Sequence, residues 1–195
     1  MDDSTPPVLR RMKPLALIVT GSGPLITLAA GAALDALLLP GLPVIIPDMV
    51  RFEVIRDLDE PGARKVADWI RANELRIRIA STEVFEEFEV LRGVNPLAKT
   101  KDRGEQAAAE VLARELENAD FGAILVFEDS MARKQNFLVP LPDGVTVTST
   151  SEFLALGARL VVHGHHQMPA TAPFRAFGID MGSHPVGPRD GRGPN

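Results

Sequence analysis

Four acidic residues stand where an α/β protein commonly does chemistry: Glu53, Glu105, Glu128 and Asp129. In open parallel sheets, sites form beyond the carboxyl ends of the strands, and these acids fall at or after such ends. Carboxylates brought together raise one another's pKa unless a cation neutralises them. Hard oxygen ligands of this kind suit Mg2+ or Mn2+. Water bound to such a metal can attack a phosphodiester. An uncharged turn, Thr20-Gly21-Ser22, would lie at the same edge. A plainer reading stands beside this one. Asp and Glu supply 26 of the 195 residues, so acids at a surface are plentiful. Glu105 would favour the positive start of its own helix, and Asp129 would serve as a cap.

The elements that must position these residues follow from the apolar pattern. Leu15 to Val19 is a buried run of strand length, expected at the centre of a parallel sheet. Ser22 is the expected cap of the next helix, with Pro24 in its first turn and an end near Leu38. Val44 to Ile46 is a second strand, and Asp48 is the expected cap of a helix through Ile55. A helix follows over 61–72, then an edge or half-exposed strand over Leu75–Ile79, where Arg76 and Arg78 alternate with apolar residues. Thr82 to Leu91 reads as a helix, and 92–104 as a polar connection. Gly104 to Glu117 is the clearest helix, with Ala108, Val111, Leu112, Glu115 and Leu116 on one side. Ala123–Phe127 and Val145–Val147 are further strands, and Ala132–Asn136 and Ser151–Leu156 short helices. This repeating order predicts an α/β fold with a parallel sheet and helices on both faces.

Composition narrows the setting. Residues 1–13 read as a leader, 14–160 as one domain, and 161–195 as an irregular Gly-, Pro- and His-rich tail. The apolar stretch 15–47 is broken by Pro24, Asp35, Pro40 and Pro43, so no run of about 20 apolar residues suits a membrane. The N-terminus lacks the pattern of a signal peptide, and a cytoplasmic location is expected. There is no cysteine, and the formal charge of −5 gives no general pull toward nucleic acid. Arg64, Lys65, Arg71, Arg76, Arg78, Arg92, Lys99, Lys101 and Arg103 nevertheless concentrate basic charge between 64 and 103. They read equally as an RNA-facing rim or a mixed charged face.

Other chemistries are weakly supported. The Gly-Ser-Gly turn lacks the Gly-Lys-Ser/Thr ending of a P-loop. It also lacks the third glycine of the dinucleotide fingerprint, since the sixth position is Ile26. Ser22 is not in a Gly-x-Ser-x-Gly elbow. His163, His165, His166 and His184 lie in the tail, and with no cysteine a structural zinc site has little support.

Four segments also occur in a particular order: Leu-Ile-Val-Thr-Gly-Ser-Gly-Pro-Leu-Ile-Thr-Leu at 17–28, Val-Ile-Ile-Pro-Asp-Met-Val-Arg-Phe-Glu-Val at 44–54, Asp-Arg-Gly-Glu-Gln-Ala-Ala-Ala-Glu-Val-Leu-Ala at 102–113, and Ile-Leu-Val-Phe-Glu-Asp-Ser-Met-Ala-Arg at 124–133. Together they resemble the PIN domain family. They look most like bacterial members described as predicted nucleic-acid-binding proteins or as toxins of toxin–antitoxin pairs. The likeness covers 15–158. It implies a three-layer α/β/α sandwich and a Mg2+- or Mn2+-dependent endoribonuclease. Glu53, Glu105 and Asp129 fall on the family's acidic positions, with Glu128 beside the last, and would hold metal and activate water. Thr20, Gly21 and Ser22 would support them, and Arg133 would meet substrate phosphate. The resemblance also implies RNA, a homodimer and an antitoxin protein as partners. The apolar helix at 24–38 would be core or interface. One departure matters: Gly21 stands where the family has its first aspartate. Two functions therefore remain open, a metal-dependent endoribonuclease and a catalytically impaired PIN-like module that binds RNA or a partner protein.

Overall fold

The apolar run after Lys13 becomes β1 (Leu15–Thr20), the central strand of a five-stranded sheet in this computed structural model. Residues 13–128 and 139–163 are described. β1 has parallel neighbours on both sides, β2 (Val44–Pro47) and β4 (Gly122–Val126). β3 (Ile77–Ala80) and β5 (Val145–Thr148) complete the order β3-β2-β1-β4-β5, and every pairing is parallel. Among the described residues six helices flank the sheet: α1 (Ser22–Ala30), α2 (Asp48–Ile55), α3 (Pro61–Ala72), α4 (Glu83–Val94), α5 (Arg103–Leu116) and α6 (Thr150–His163). The result is a three-layer α/β/α fold.

Alternation along the central strands sends apolar side chains to both faces. Ile18, Val44, Ile46 and Val126 pack with α1, α2, α3 and α6, including Leu25, Leu28, Val66, Trp69 and Phe153. Leu17, Val19, Ile45 and Leu125 pack on the other face against Val111, Leu112 and Leu116 of α5. A third cluster joins α2 to α4 through Met49, Phe52, Phe85 and Phe88. The Phe52 ring centroid lies 5.3 Å from Phe88 and 5.7 Å from Phe85, and Arg92 lies over Phe52. Phe85 and Phe88 thus fix the angle of α2, the helix that carries Glu53.

Several boundaries differ from expectation for local reasons. The apolar stretch 24–38 is not one helix. α1 stops at Ala30, and a 3-10 turn covers Leu34–Leu38. Ala32 takes φ 50°, its N–H reaches Ala29 O, and Ala33 N–H reaches Leu28 O at 2.8 Å. That paired stop satisfies the last carbonyls of the helix. Leu25, Leu28, Leu34, Leu37 and Leu38 are buried, so this segment is mainly core rather than interface. Gly21, not Ser22, is the N-cap of α1. Asp48 is the first residue of α2 and not its cap. Its carboxylate instead accepts from the Thr82 hydroxyl at 2.6 Å and the Thr82 N–H at 3.0 Å, tying the start of α2 to the start of α4. α4 runs three residues past its expected end, and α6 extends to His163. The expected helix at 132–136 lies outside the described residues.

β3 is an edge strand, as its alternation suggested. Glu115, on the inward side of α5, meets Arg78 of this strand at 2.6 Å, with side chains 12% and 18% exposed. The contact is close but off the N–H axis, and Arg78 Nε also lacks a hydrogen-bond partner. Removing one half of such a pair strands the other charge. Glu115→Ala is expected to cost about 3 kcal/mol in a urea denaturation series. In the same series Ala32→Gly is expected to add about 0.5–1 kcal/mol, because glycine adopts the left-handed conformation without the clash of a Cβ.

Candidate functional site

The sheet order changes direction between β1 and β4: β2 and β3 lie to one side of β1, and β4 and β5 to the other. In parallel α/β folds the crevice beyond such a switch point is the usual ligand site. At this end β1 runs into Gly21, whose N–H donates to Val126 O at 3.1 Å. β4 runs into Phe127 and Glu128. A hollow of about 360 Å³ opens there, lined by Ser22, Ile26, Glu53, Arg56, Thr100, Lys101, Asp102, Gly104, Glu105 and Phe127.

Glu53 is the most constrained acid of the hollow. Burial pushes its carboxyl above the ordinary value of 4.5. The Ser22 hydroxyl, the Gly104 backbone N–H and the charge of Arg56 act in the opposite direction. The two donors fix the carboxylate between the start of α1 and the start of α5. A Cβ at Gly104 would lie 2.6 Å from Glu53 Oε2, so a larger residue there would push the carboxylate aside. Glu105 is the next residue on α5, half-buried in the same hollow. Two of the four expected acids are therefore brought together.

Glu128 is held elsewhere. Its carboxylate accepts from Thr150 Oγ1 of α6 at 2.7 Å and from Thr27 Oγ1 of α1 at 3.2 Å. Its Cβ would be only 2.6 Å from a Cβ on Gly23, so it packs tightly against the first turn of α1. In this position it bridges α1 and α6 beside a positive helix end. Asp129 and Arg133 lie outside the described residues. So do His165, His166 and His184, while His163 closes α6.

The uncharged turn has a definite shape. Thr20 is fully buried, its hydroxyl directed to Gly21 O at 3.3 Å. Ser22 turns into the hollow. A Cβ built on Gly21 would lie 2.9 Å from Cδ2 and 3.0 Å from Cε2 of Phe127. The ring therefore stands where a side chain at position 21 would begin. Among the described residues, no group of three or more acids or histidines is placed to hold a metal ion. Asp129, which the resemblance places in the same acid set, lies outside the described residues.

The hollow also contains residues that sequence patterns did not single out. Arg56, the C-cap of α2, follows Glu53 by three residues, a spacing that puts both on one side of the helix. Lys101, one of the basic residues between 64 and 103, reaches the same hollow. Phe127 follows the last residue of β4. Its register gave the available signal: Thr20 pairs with Val126, so Phe127 follows directly beside Gly21.

No known family model matches this chain, and no curated protein matches it significantly.

The raised Glu53 carboxyl gives a pH test. The folded state holds this proton more tightly than the unfolded state, so its contribution is fully present below 4.5 and is lost as pH rises through the folded value. Urea midpoints measured across this window should fall with rising pH in the starting protein. In Glu53→Gln that component of the slope should be absent, although Arg56, Lys101, Asp102 and Glu105 still line the hollow.

Proposed function

We propose that this chain is a PIN-like RNA-binding module whose metal-dependent nuclease chemistry is impaired. The observation that supports the reading is the closeness of the Phe127 ring to Gly21, the position where the resemblance expects the family's first aspartate. Around it the switch-point hollow retains polar and cationic groups. Ser22, Thr100, Arg56 and Lys101 can meet phosphate and ribose oxygens. Glu53 and Glu105 make this an acidic-and-basic surface, not a uniform basic track. RNA contact there is accordingly local and follows the two cations rather than the net charge of the protein.

A second reading is an active Mg2+- or Mn2+-dependent endoribonuclease. It is favoured by the way Ser22 and Gly104 hold Glu53 beside Glu105. It would require Asp129 to complete the acid set. The resemblance further proposes a cytoplasmic toxin of a toxin–antitoxin pair, a homodimer and an antitoxin partner. The exposed Val90 and Val94 on α4, with Leu97 beyond it, offer apolar surface that a protein partner would cover. Among the described residues no helix is long and apolar enough to cross a membrane.

Fluorescence anisotropy with a mixed-sequence RNA, run beside a cleavage assay, separates the two readings. The expected result is RNA binding in the presence of a chelator and no cleavage with Mg2+ or Mn2+. Lys101→Ala should weaken binding and reduce the log–log salt slope by about 0.7, one single-stranded phosphate contact. Metal-dependent cleavage that disappears in Asp129→Asn would replace the first reading with the second. Absence of both binding and cleavage would overturn both.

A further inference from the structure

Helix α4 outruns the layer it belongs to. At its start the backbone N–H groups of Glu83 and Val84 donate to the carboxylate of Glu110, midway along α5, at 2.9 and 3.3 Å. One turn further on, Phe88 packs with Ala107, and Arg103, the first residue of α5, lies over its ring. α4 thus runs antiparallel to α5, and its last turns pass the point where α5 begins. Every residue from Glu89 to Leu97 is exposed. Val90 and Val94 stand one helical turn apart in this stretch, and Leu97 follows just beyond the helix. These three apolar side chains are 73%, 84% and 87% exposed. Gly93 lies among them, and a Cβ built on it would meet nothing within 4 Å. The chain's own packing therefore does not ask for a glycine here, although glycine weakens a helix relative to alanine. What glycine does permit is the close approach of another backbone.

Charge is divided along the same face. Glu83, Glu86 and Glu87 precede Val90 by seven, four and three residues, so they continue its row toward the start of α4. From Val90 to Lys101 there is no acid, and Arg92, Lys99 and Lys101 supply three cations. A second copy laid parallel would put acid on acid. A copy turned end for end sets the acids of each chain against the cations of the other, with the apolar row between them. A two-fold interface makes this demand of a surface, since residue i meets j and j meets i, so the patch must complement itself. We propose that the exposed face of α4 is a homodimer interface in which two copies cross antiparallel near Gly93, with Leu97 of each packing on Val90 of the other and Glu87 meeting Lys99. The surface and its polarity are read from these residues alone, and the inference does not rest on the RNA-binding reading. The face is short, so the dimer is weak and forms by mass action.

Sedimentation velocity of the full chain over about a hundredfold range of concentration tests this. The starting protein should pass from monomer to dimer. Glu87→Lys and Lys99→Glu should each weaken the dimer by at least about tenfold, because each sets like charges opposite one another at both ends of the crossing. Mixing the two variants should recover a dimer containing one copy of each, since the reversed charges then match. Gly93→Leu should also lose the dimer, because its side chain fills the space where the two helices cross. Thermal melts at concentrations where each variant is monomeric check that the fold is retained. A monomer at every concentration would overturn a second copy as the occupant of this face. A dimer indifferent to both charge reversals, or one that the mixture does not recover, would overturn the α4 crossing. RNA binding by a chain that stays monomeric would sink this inference and leave the earlier reading standing. A dimer recovered by mixing, in a protein that binds no RNA, would do the reverse.

Discussion

The parallel pairing of β1 with β4 is the constraint on which the site depends. It aligns Thr20 with Val126 and so sets Gly21 beside Phe127 at the end of the sheet. Both strands are buried on two faces, and a slip of one residue would turn their core side chains to the wrong layer. The register is therefore held by the cores above and below the sheet. The contact at its end is inherited from that register and does not require a separate energy source. Helices α2 and α5 then bring Glu53, Gly104 and Glu105 against the same point. The aromatic cluster of Phe52, Phe85 and Phe88 helps to fix α2 in that position.

This arrangement explains why acids that look equivalent along the chain have different surroundings. Glu53 is drawn inward because Ser22 and the Gly104 N–H offer it donors. Glu128, only one residue beyond Phe127, is directed to Thr27 and Thr150 and joins two helices. Burial raises the Glu53 carboxyl, while the Ser22 hydroxyl, the Gly104 N–H and Arg56 act against that rise. A hydroxyl, a half-buried carboxyl, two cations and a ring edge share one hollow. The site is thus better described by its mixture of groups than by its acidic residues.

Much of the fold was legible because its strands are short apolar runs and its helices have caps or clear amphipathic faces. The order of elements predicted a parallel α/β/α architecture, and α2, α3 and α5 fell within a residue of their expected spans. The stop after Ala30 was not legible, since it depends on Ala32 adopting a conformation usually left to glycine. Asp48 and Glu115 were read from local spacing, yet their partners Thr82 and Arg78 are distant in sequence. At the site, Glu53 and Glu105 were visible as acids near strand ends. The ring of Phe127 was not visible as part of the site, because a strand-end phenylalanine ordinarily reads as core. The cost of a side chain at Gly21 became apparent only when β4 was paired beside β1.

Photocrosslinking would test the central claim most directly. A thiouridine-substituted single-stranded RNA would be bound to the full chain in EDTA, irradiated, and mapped by peptide mass spectrometry. The account predicts adducts on residues of the switch-point hollow, at Phe127 and at its neighbours on the loop carrying Thr100 and Lys101. Adducts confined to other surfaces, or none above an unbound control, would contradict it.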